Sequence, residues 1–152
     1  MSSETAAAAR EEEEEEITTL RGKKIFTIYL DLAPPKIAGM NCVVALSGSA
    51  VGPRLNATVV PPSADWLLLK PESIIAINVK LLLKTDDGEY IHQTMTGRSV
   101  RDPNNPSSST IRSLALFETS SDKYKWLGHT ALFGIGTKEG NKVTVDYYDT
   151  LL

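Results

Sequence analysis

The sequence predicts an all-β protein with a single domain, an antiparallel β-barrel of about eight to nine strands. Short apolar and β-branched segments alternate with Gly, Pro or Asp at intervals of about ten residues, whereas repeats with helical spacing are almost absent. The 152 residues, 41% of them hydrophobic, suffice for one core only. Short strands with short links favour a lipocalin-like barrel, closed or nearly closed, over a two-sheet sandwich.

The amino end differs from the rest of the chain in composition. Six consecutive glutamates, Glu11 to Glu16, would repel one another in a compact state. We therefore expect residues 1–16 to form a disordered acidic leader, although alanine and glutamate also favour a helix that Ser3 could cap. The barrel domain is expected over residues 17–152.

Nine segments have the composition of strands, and one low-complexity stretch separates two of them. Residues 98–110 combine prolines, asparagines and serines, which predicts a long surface loop. The predicted strands are Lys24 to Leu32, Asn41 to Ser49, Arg54 to Val60, Trp66 to Leu69, Ile74 to Lys84, Glu89 to Thr96, Thr110 to Thr119, His129 to Thr137 and Lys142 to Tyr148.

The clearest predicted hairpin has Asp87 and Gly88 as the two central residues of its turn, because both residue types tolerate positive φ. This register sets Leu83 opposite His92. The odd-numbered face of the first strand is apolar and should point inward, and Tyr90 and His92 would point inward with it. His92 could then exchange a proton near physiological pH, or it could simply be hydrogen-bonded by a neighbouring threonine.

Three glycines, Gly134, Gly136 and Gly140, are spaced almost as in a dinucleotide-binding turn. That turn must lead into a helix, whereas here residues 142–148 alternate as a strand does. We therefore expect Gly140 and Asn141 to form a hairpin turn, and Gly134 and Gly136 to permit curvature or close approach by a neighbour.

Composition argues against several classes of function. The net charge of -3 leaves no basic surface for nucleic acid. The apolar run from Ile74 to Leu83 is interrupted by Asn78 and Lys80 and is shorter than the roughly 20 residues that span a bilayer. Two histidines and a lone Cys42 provide no metal-ligand cluster, so we expect neither metal nor cofactor. The unpaired cysteine and the lack of a secretory signal favour a cytoplasmic protein.

Four stretches resemble, in order and spacing, the motifs of the domain of unknown function 3237 family: "GPRLNATVVPPSADW", "KTDDGEYI", "RSLALFETSSDKYKWL" and the final glycine pair. The resemblance covers about residues 20–150. It implies a compact β-barrel, and fungal members of the family are often found with pathways that make polyketides and terpenoids. The family's motif residues fall on Asp65, Trp66, Arg112, Tyr124, Trp126 and Leu127.

The chain departs from the family pattern at two places. The usual aspartate and arginine before the Asp-Asp-Gly turn are Asn78 and Lys80 here, and the usual Asn-Arg after Trp-Leu is Gly128 and His129. An asparagine cannot accept a proton as an aspartate does, so that role would pass to another group or be lost. The predicted register also places the Asn78 face opposite the His92 face, so the two sets cannot both line one cavity.

The function expected from the resemblance is a cofactor-independent cyclase or isomerase that binds a hydrophobic polyketide or terpenoid-type intermediate inside the barrel. The alternatives are a non-catalytic carrier of hydrophobic ligands and a scaffold whose barrel is filled by its own side chains. A homodimer is expected through an apolar outer face that includes Leu82 and Met95. Candidate catalytic residues are Asp65, His92 and Arg112, and candidate ligand-binding residues are Trp66, Asn78, Lys80, Tyr90, Glu118, Tyr124, Trp126 and His129.

Overall fold

The computed structural model describes residues 16–150, so the predicted leader lies outside the described residues except for Glu16. Among the described residues there is no α-helix, and only two short 3-10 turns occur, Pro71–Ser73 and Lys125–His129. No described helix is therefore long or apolar enough to cross a membrane. The strands are β1 (Gly22–Leu32), β2 (Lys36–Ala38), β3 (Asn41–Val51), β4 (Asn56–Lys70), β5 (Ile74–Thr85), β6 (Tyr90–Asp102), β7 (Asn105–Glu118), β8 (Leu132–Glu139) and β9 (Lys142–Thr150).

Eight of these strands form a closed antiparallel barrel, which confirms the predicted fold. Their order is β1-β9-β8-β7-β6-β5-β4-β3, and β1 pairs with β3 to close the sheet. The short β2 is an extra strand on the edge of β3. Closure removes the unpaired edges that an open sheet of this size would expose.

Two predicted strands, residues 54–60 and 66–69, belong to the single long strand β4, which begins two residues later than predicted. The strand stays continuous through an irregularity between Val60 and Ala64, where its register with β5 shifts. Pro61 and Pro62 lie at this irregular position. Proline lacks the N–H that a regular ladder needs, so it is tolerated where the ladder is interrupted. Ser63 holds it together, because its hydroxyl donates to the Val60 carbonyl (2.7 Å) and accepts from the Leu82 N–H (2.8 Å).

The prediction of a long loop over residues 98–110 is wrong. Strand β6 continues to Asp102 and β7 begins at Asn105, so only a tight turn separates them, and the Asn104 N–H donates to the Asp102 carboxylate (2.8 Å). The inward positions on both strands carry small hydroxyl residues, Ser99 and Ser109, which are buried. Their serine-rich composition hides the apolar alternation by which a strand is recognised.

The predicted register of the β5–β6 hairpin is also wrong, by one residue. The turn contains three residues rather than two, with Gly88 at φ +87° and the Thr85 N–H donating to the Glu89 carbonyl (2.8 Å). Leu83 therefore lies opposite Ile91, and His92 lies opposite Leu82. A slip of one residue exchanges the two faces of a strand.

The exchange moves four side chains of β6. Tyr90 and His92, predicted to point inward, are exposed on the outer face, whereas Gln93 and Met95 are buried inside. Met95 therefore cannot belong to the apolar outer face that was predicted for it. Three-residue hairpin loops with glycine at the left-handed position are common, and composition alone did not separate this loop from a two-residue one.

Aromatic side chains fill the middle of the barrel. Phe26 stacks on Tyr147 with ring centroids 4.8 Å apart, and Phe117 meets Phe26 edge-on at 5.9 Å. Gly134 makes room for this packing, because a Cβ there would overlap the Ser113 hydroxyl and lie 2.8 Å from the Tyr147 ring. The prediction of close approach at this glycine is confirmed.

The turn predicted at Gly140 and Asn141 is also confirmed. It links β8 to β9, and Gly140 has φ +60°. The glycines therefore provide tight packing and a turn for two successive strands.

Candidate functional site

A cavity of about 460 Å³ opens at one end of the barrel, and we call it the mouth cavity. It lies where β1 and β4 end, where β5 begins and beside the β8–β9 turn. Its wall is mainly apolar, although the polar residues Lys138 and Asn141 also line it. The apolar lining includes Leu32, Ile37, Val44, Leu67, Leu69 and Ile75.

Backbone hydrogen bonds fix the chain where it crosses this end of the barrel. The Leu32 N–H donates to the Asn141 carbonyl (2.8 Å), and the Ala33 N–H donates to the Ala45 carbonyl (3.0 Å). Pro34 and Pro35 then interrupt the ladder before β2, since neither can donate a hydrogen bond. The wall contributed by this segment is therefore held by its two neighbours in the fold.

Asp65 faces the barrel interior beside two residues that line the mouth cavity. It faces inward from β4 between its cross-strand neighbours Val44 and Val79, and it is 8% exposed. Val44 and Leu67, which is two residues along the same face of β4, both line the cavity. The Asn78 N–H donates to Asp65 Oδ1 (2.9 Å).

Burial raises the pKa of Asp65 to about 6, and the hydrogen bond from the Asn78 N–H lowers it in part. No basic side chain forms an ion pair with Asp65 in the part of the chain that the structure describes. The carboxyl therefore changes its protonation state close to neutral pH. Such a group can accept a proton from a bound molecule and return it.

Gln93 and Ser99 are buried polar side chains that face the interior, and neither was among the candidate residues predicted from the sequence. Gln93 is fully buried and Ser99 is 4% exposed. Within residues 16–150, neither side chain has a hydrogen-bond partner for its polar atoms. Ser99 is the cross-strand neighbour of Ile75, which lines the mouth cavity. The correct hairpin register would have indicated both residues, because it places the odd-numbered residues of β6 inside.

We expect Gln93→Leu to raise the free energy of unfolding by about 1 kcal/mol or more, because a buried polar group without a partner costs about 1–3 kcal/mol. Urea denaturation followed by circular dichroism measures the change. Thr96→Leu, on the outer face of the same strand, is the control and should have a smaller effect. A lower stability for Gln93→Leu would mean that the amide has a partner in solution, either ordered water or the Tyr147 hydroxyl beside it.

Most of the predicted site residues lie on the outer face of the barrel. His92 and Arg112, two of the three catalytic candidates, are exposed there and are separated from Asp65 by the sheet. Asn78 also points outward, so the group that it offers Asp65 is its backbone N–H. The ligand-binding candidates on this outer face are Trp66, Asn78, Lys80, Tyr90 and Glu118.

The remaining candidates lie on the connection between β7 and β8, at the end opposite the mouth. Tyr124 is buried, and its hydroxyl donates to Asp87 Oδ1 (2.9 Å). The Arg54 guanidinium stands 3.9 Å from the centre of the Trp126 ring, and His129 is exposed. The structure therefore brings none of these three residues to the mouth cavity.

Comparisons with known proteins agree with the fold. The model of the family described as "Protein of unknown function (DUF3237)" matches residues 21–150. A UPF0311 protein of Rhodopseudomonas palustris is 25% identical over an alignment 150 residues long, and the alignment covers 88% of this chain and 98% of the relative.

Solved structures share the architecture at low sequence identity. A β-barrel-like protein from Acinetobacter baumannii has a TM-score of 0.79 at 23% identity, over 90% of this chain and 99% of that one. A protein described as an enzyme from Penicillium herquei has a TM-score of 0.63 at 20% identity, over 88% and 98% of the two chains. At these identities the similarity shows a common fold.

Proposed function

We propose, for this chain that belongs to the DUF3237 family of proteins of unknown function, a cofactor-independent cyclase or isomerase activity at the mouth cavity. The observation that carries the proposal is the buried, inward-facing Asp65, which is the cross-strand neighbour of the cavity-lining Val44 and has its pKa raised to about 6. General acid–base catalysts work best when their pKa is close to the operating pH. The apolar wall would bind the substrate, and the carboxyl would move its proton.

An isomerisation needs only this one group. The Asp65 carboxylate removes a proton from a carbon beside a carbonyl, and the electron pair of that C–H bond moves to the carbonyl oxygen. The carboxylic acid so formed returns the proton to a different carbon of the same conjugated system as the electron pair moves back. The double bond has then shifted, and Asp65 has regained its charge.

A cyclisation can follow the same first step. As the electron pair returns from the enolate oxygen, the carbon beside the first carbonyl bonds to a second carbonyl carbon of the same folded chain. The π pair of that second carbonyl moves to its oxygen, and Asp65 gives its proton to the alkoxide so formed. The cavity contributes by holding the two reacting carbons close together, since orientation alone removes several kcal/mol of barrier. Proton transfer by a positioned carboxyl typically adds about 100-fold to 10,000-fold.

The expected substrate is a hydrophobic molecule with a carbonyl and nearby unsaturation, as in polyketide or terpenoid-type intermediates of secondary metabolism. A volume of about 460 Å³ is in the range of small-molecule sites. Lys138 and Asn141 could bind a polar substituent at the lining of the cavity. The description of the Penicillium herquei protein as an enzyme supports the idea that this fold can hold a catalytic site.

A carrier without catalytic activity is the second candidate. It is favoured by the positions of His92 and Arg112, because their exposure on the outer face leaves Asp65 without a catalytic partner from that set. A carrier would use the mouth cavity in the same way but would release its ligand unchanged.

The test of catalysis uses a hydrophobic β,γ-unsaturated ketone as the probe. We expect the protein to convert it to the conjugated ketone, with an absorbance increase, and to exchange hydrogen beside the carbonyl for solvent deuterium. Asp65→Asn should lower the rate by about 100-fold or more. Asp86→Asn, at an exposed turn, is the matched acid-to-amide control and should retain the rate.

Binding of the same ketone is measured separately by its effect on thermal stability. Leu69→Trp should fill the mouth cavity and weaken both binding and turnover, whereas Asp65→Asn should weaken turnover alone. Binding without turnover in the unmodified protein would identify a carrier. If a series of such ketones neither binds nor reacts, or if Asp65→Asn keeps the full rate, the proposed catalysis is wrong.

A further inference from the structure

Strands β7 and β8 carry a contiguous apolar surface on the outside of the barrel. Leu116 is 50% exposed and Ile135 is 59% exposed, and Leu114 and Phe133 between them are also exposed. Leu114 and Phe133 are cross-strand neighbours, and Phe133 is in turn the neighbour of Tyr148 on β9. Contiguous exposed apolar surface of this kind marks sites of protein association.

Charged residues stand at both ends of this surface along β7. The outward positions of the strand read Arg112, Leu114, Leu116 and Glu118, so a cation and an anion flank two leucines. Neither Arg112 nor Glu118 takes part in an ion pair within residues 16–150.

Arg112 also lies directly opposite Arg98 on β6, and like charges at opposed positions destabilise a sheet. An anion supplied by another molecule would therefore stabilise the end of β7 that carries Arg112.

A second copy of the same strand matches this pattern. Turned antiparallel about a two-fold axis at Ala115, it sets Leu114 opposite Leu116 of the partner subunit and Arg112 opposite Glu118 of the partner subunit. The symmetry repeats both contacts, as an isologous interface requires. Arg112 and Glu118 are about 20 Å apart along the strand at roughly 3.3 Å per residue, so both ion pairs form together at the two ends.

Two packed sheets cross at about 30°, and the long side chains of arginine and glutamate can span the resulting offset. The surface is also not flat. Phe133, Ile135 and Tyr148 line part of a groove of about 410 Å³ on it. Such a groove can receive side chains of the second copy. A flat apolar sheet would offer less complementary packing.

We propose that the protein forms a two-fold symmetric homodimer through the β7 face, which we define as Arg112, Leu114, Leu116, Glu118, Phe133 and Ile135. The interface is on the outside of the barrel, so it depends neither on the mouth cavity nor on the proposed catalysis.

Sedimentation velocity of the full chain tests the dimer. The unmodified protein should sediment as a dimer, and Leu116→Glu should sediment as a monomer because each introduced acid would be buried against Leu114 of the partner subunit without a cation to pair with. Arg112→Glu and Glu118→Arg should each weaken the dimer by about 10-fold or more, since each creates two like-charge pairs. The double variant with both reversals should regain the affinity. Lys80→Glu, on the outer face of β5, is the control that should remain dimeric.

Far-ultraviolet circular dichroism establishes that each variant keeps its strands. If Leu116→Glu does not fold, the two single reversals and their combination still decide the question. A monomeric unmodified protein would contradict the proposal. So would a dimer whose affinity does not respond to the two reversals, because it must then use another surface.

Discussion

Gly48→Ala is expected to lower the free energy of unfolding by about 3 kcal/mol or more. Gly48 lies on β3 opposite Leu30 of β1, at the seam where the barrel closes, and the register of β3 with β4 shifts just before it. Its φ of +143° is open to glycine and strained for other residues. A Cβ would overlap the carbonyl oxygen of Tyr29 and lie 2.9 Å from its carbonyl carbon. Only backbone movement could relieve that overlap.

Guanidinium chloride denaturation measures the loss, and Gly39→Ala provides the matched control. Gly39 also has a positive φ, +66°, but a Cβ there would have no atom within 4 Å. The control should therefore lose only about 1–2 kcal/mol, the cost of a left-handed conformation. Equal losses for the two variants would mean that the close approach of Tyr29 at the seam adds nothing to the loss of stability in Gly48→Ala.

The fold class could be predicted from the sequence because the alternation of apolar and polar residues survives in most strands. Lys142 to Tyr148 is an example, since its buried Val143, Val145 and Tyr147 alternate with less buried residues. A closed or nearly closed barrel was predicted, but the pair of strands that closes it could not be predicted in this way. Closure depends on contact between β1 and β3, which no local pattern encodes, and on the irregularity that precedes Gly48.

The candidate site was only partly predictable, and the reason is register. Asp65 was identified through the family motif that ends in Asp65 and Trp66, and the structure places it inside. Its neighbour Trp66 is 46% exposed on the outside, because adjacent residues of a strand point to opposite faces. The Asp-Asp-Gly turn was assigned one residue too few, and this error placed His92 inside and Gln93 outside. The motif therefore indicated where along the chain a candidate catalytic residue lies. The geometry of the turn determined which side chains point to the same face of the sheet.

We expect Asp65→Asn to stabilise the protein at pH 7 by about 3 kcal/mol and to have almost no effect at pH 4. The pKa of Asp65 rises from 3.8, the ordinary value of the group, to about 6 in the folded protein because the carboxyl is buried. Between these values the folded state keeps a proton that the unfolded chain has lost. The free energy of unfolding therefore falls as pH rises through this window, by about 1.4 kcal/mol for each unit of pKa difference.

Asparagine cannot ionise, and its side-chain oxygen can still accept the hydrogen bond from the Asn78 N–H. The variant therefore does not lose stability as the pH rises. The difference in the free energy of unfolding between the variant and the unmodified protein should grow from pH 4 to pH 6 and then stay nearly constant. Urea denaturation at a series of pH values measures it, with Asp86→Asn, a change at an exposed turn residue, as the matched control. A protein that retains a destabilising buried carboxylate is expected to use it, since sites of function are often built at a cost in stability. A difference that does not change with pH would show that the carboxyl titrates normally, and the catalytic proposal would then lose the property on which it depends.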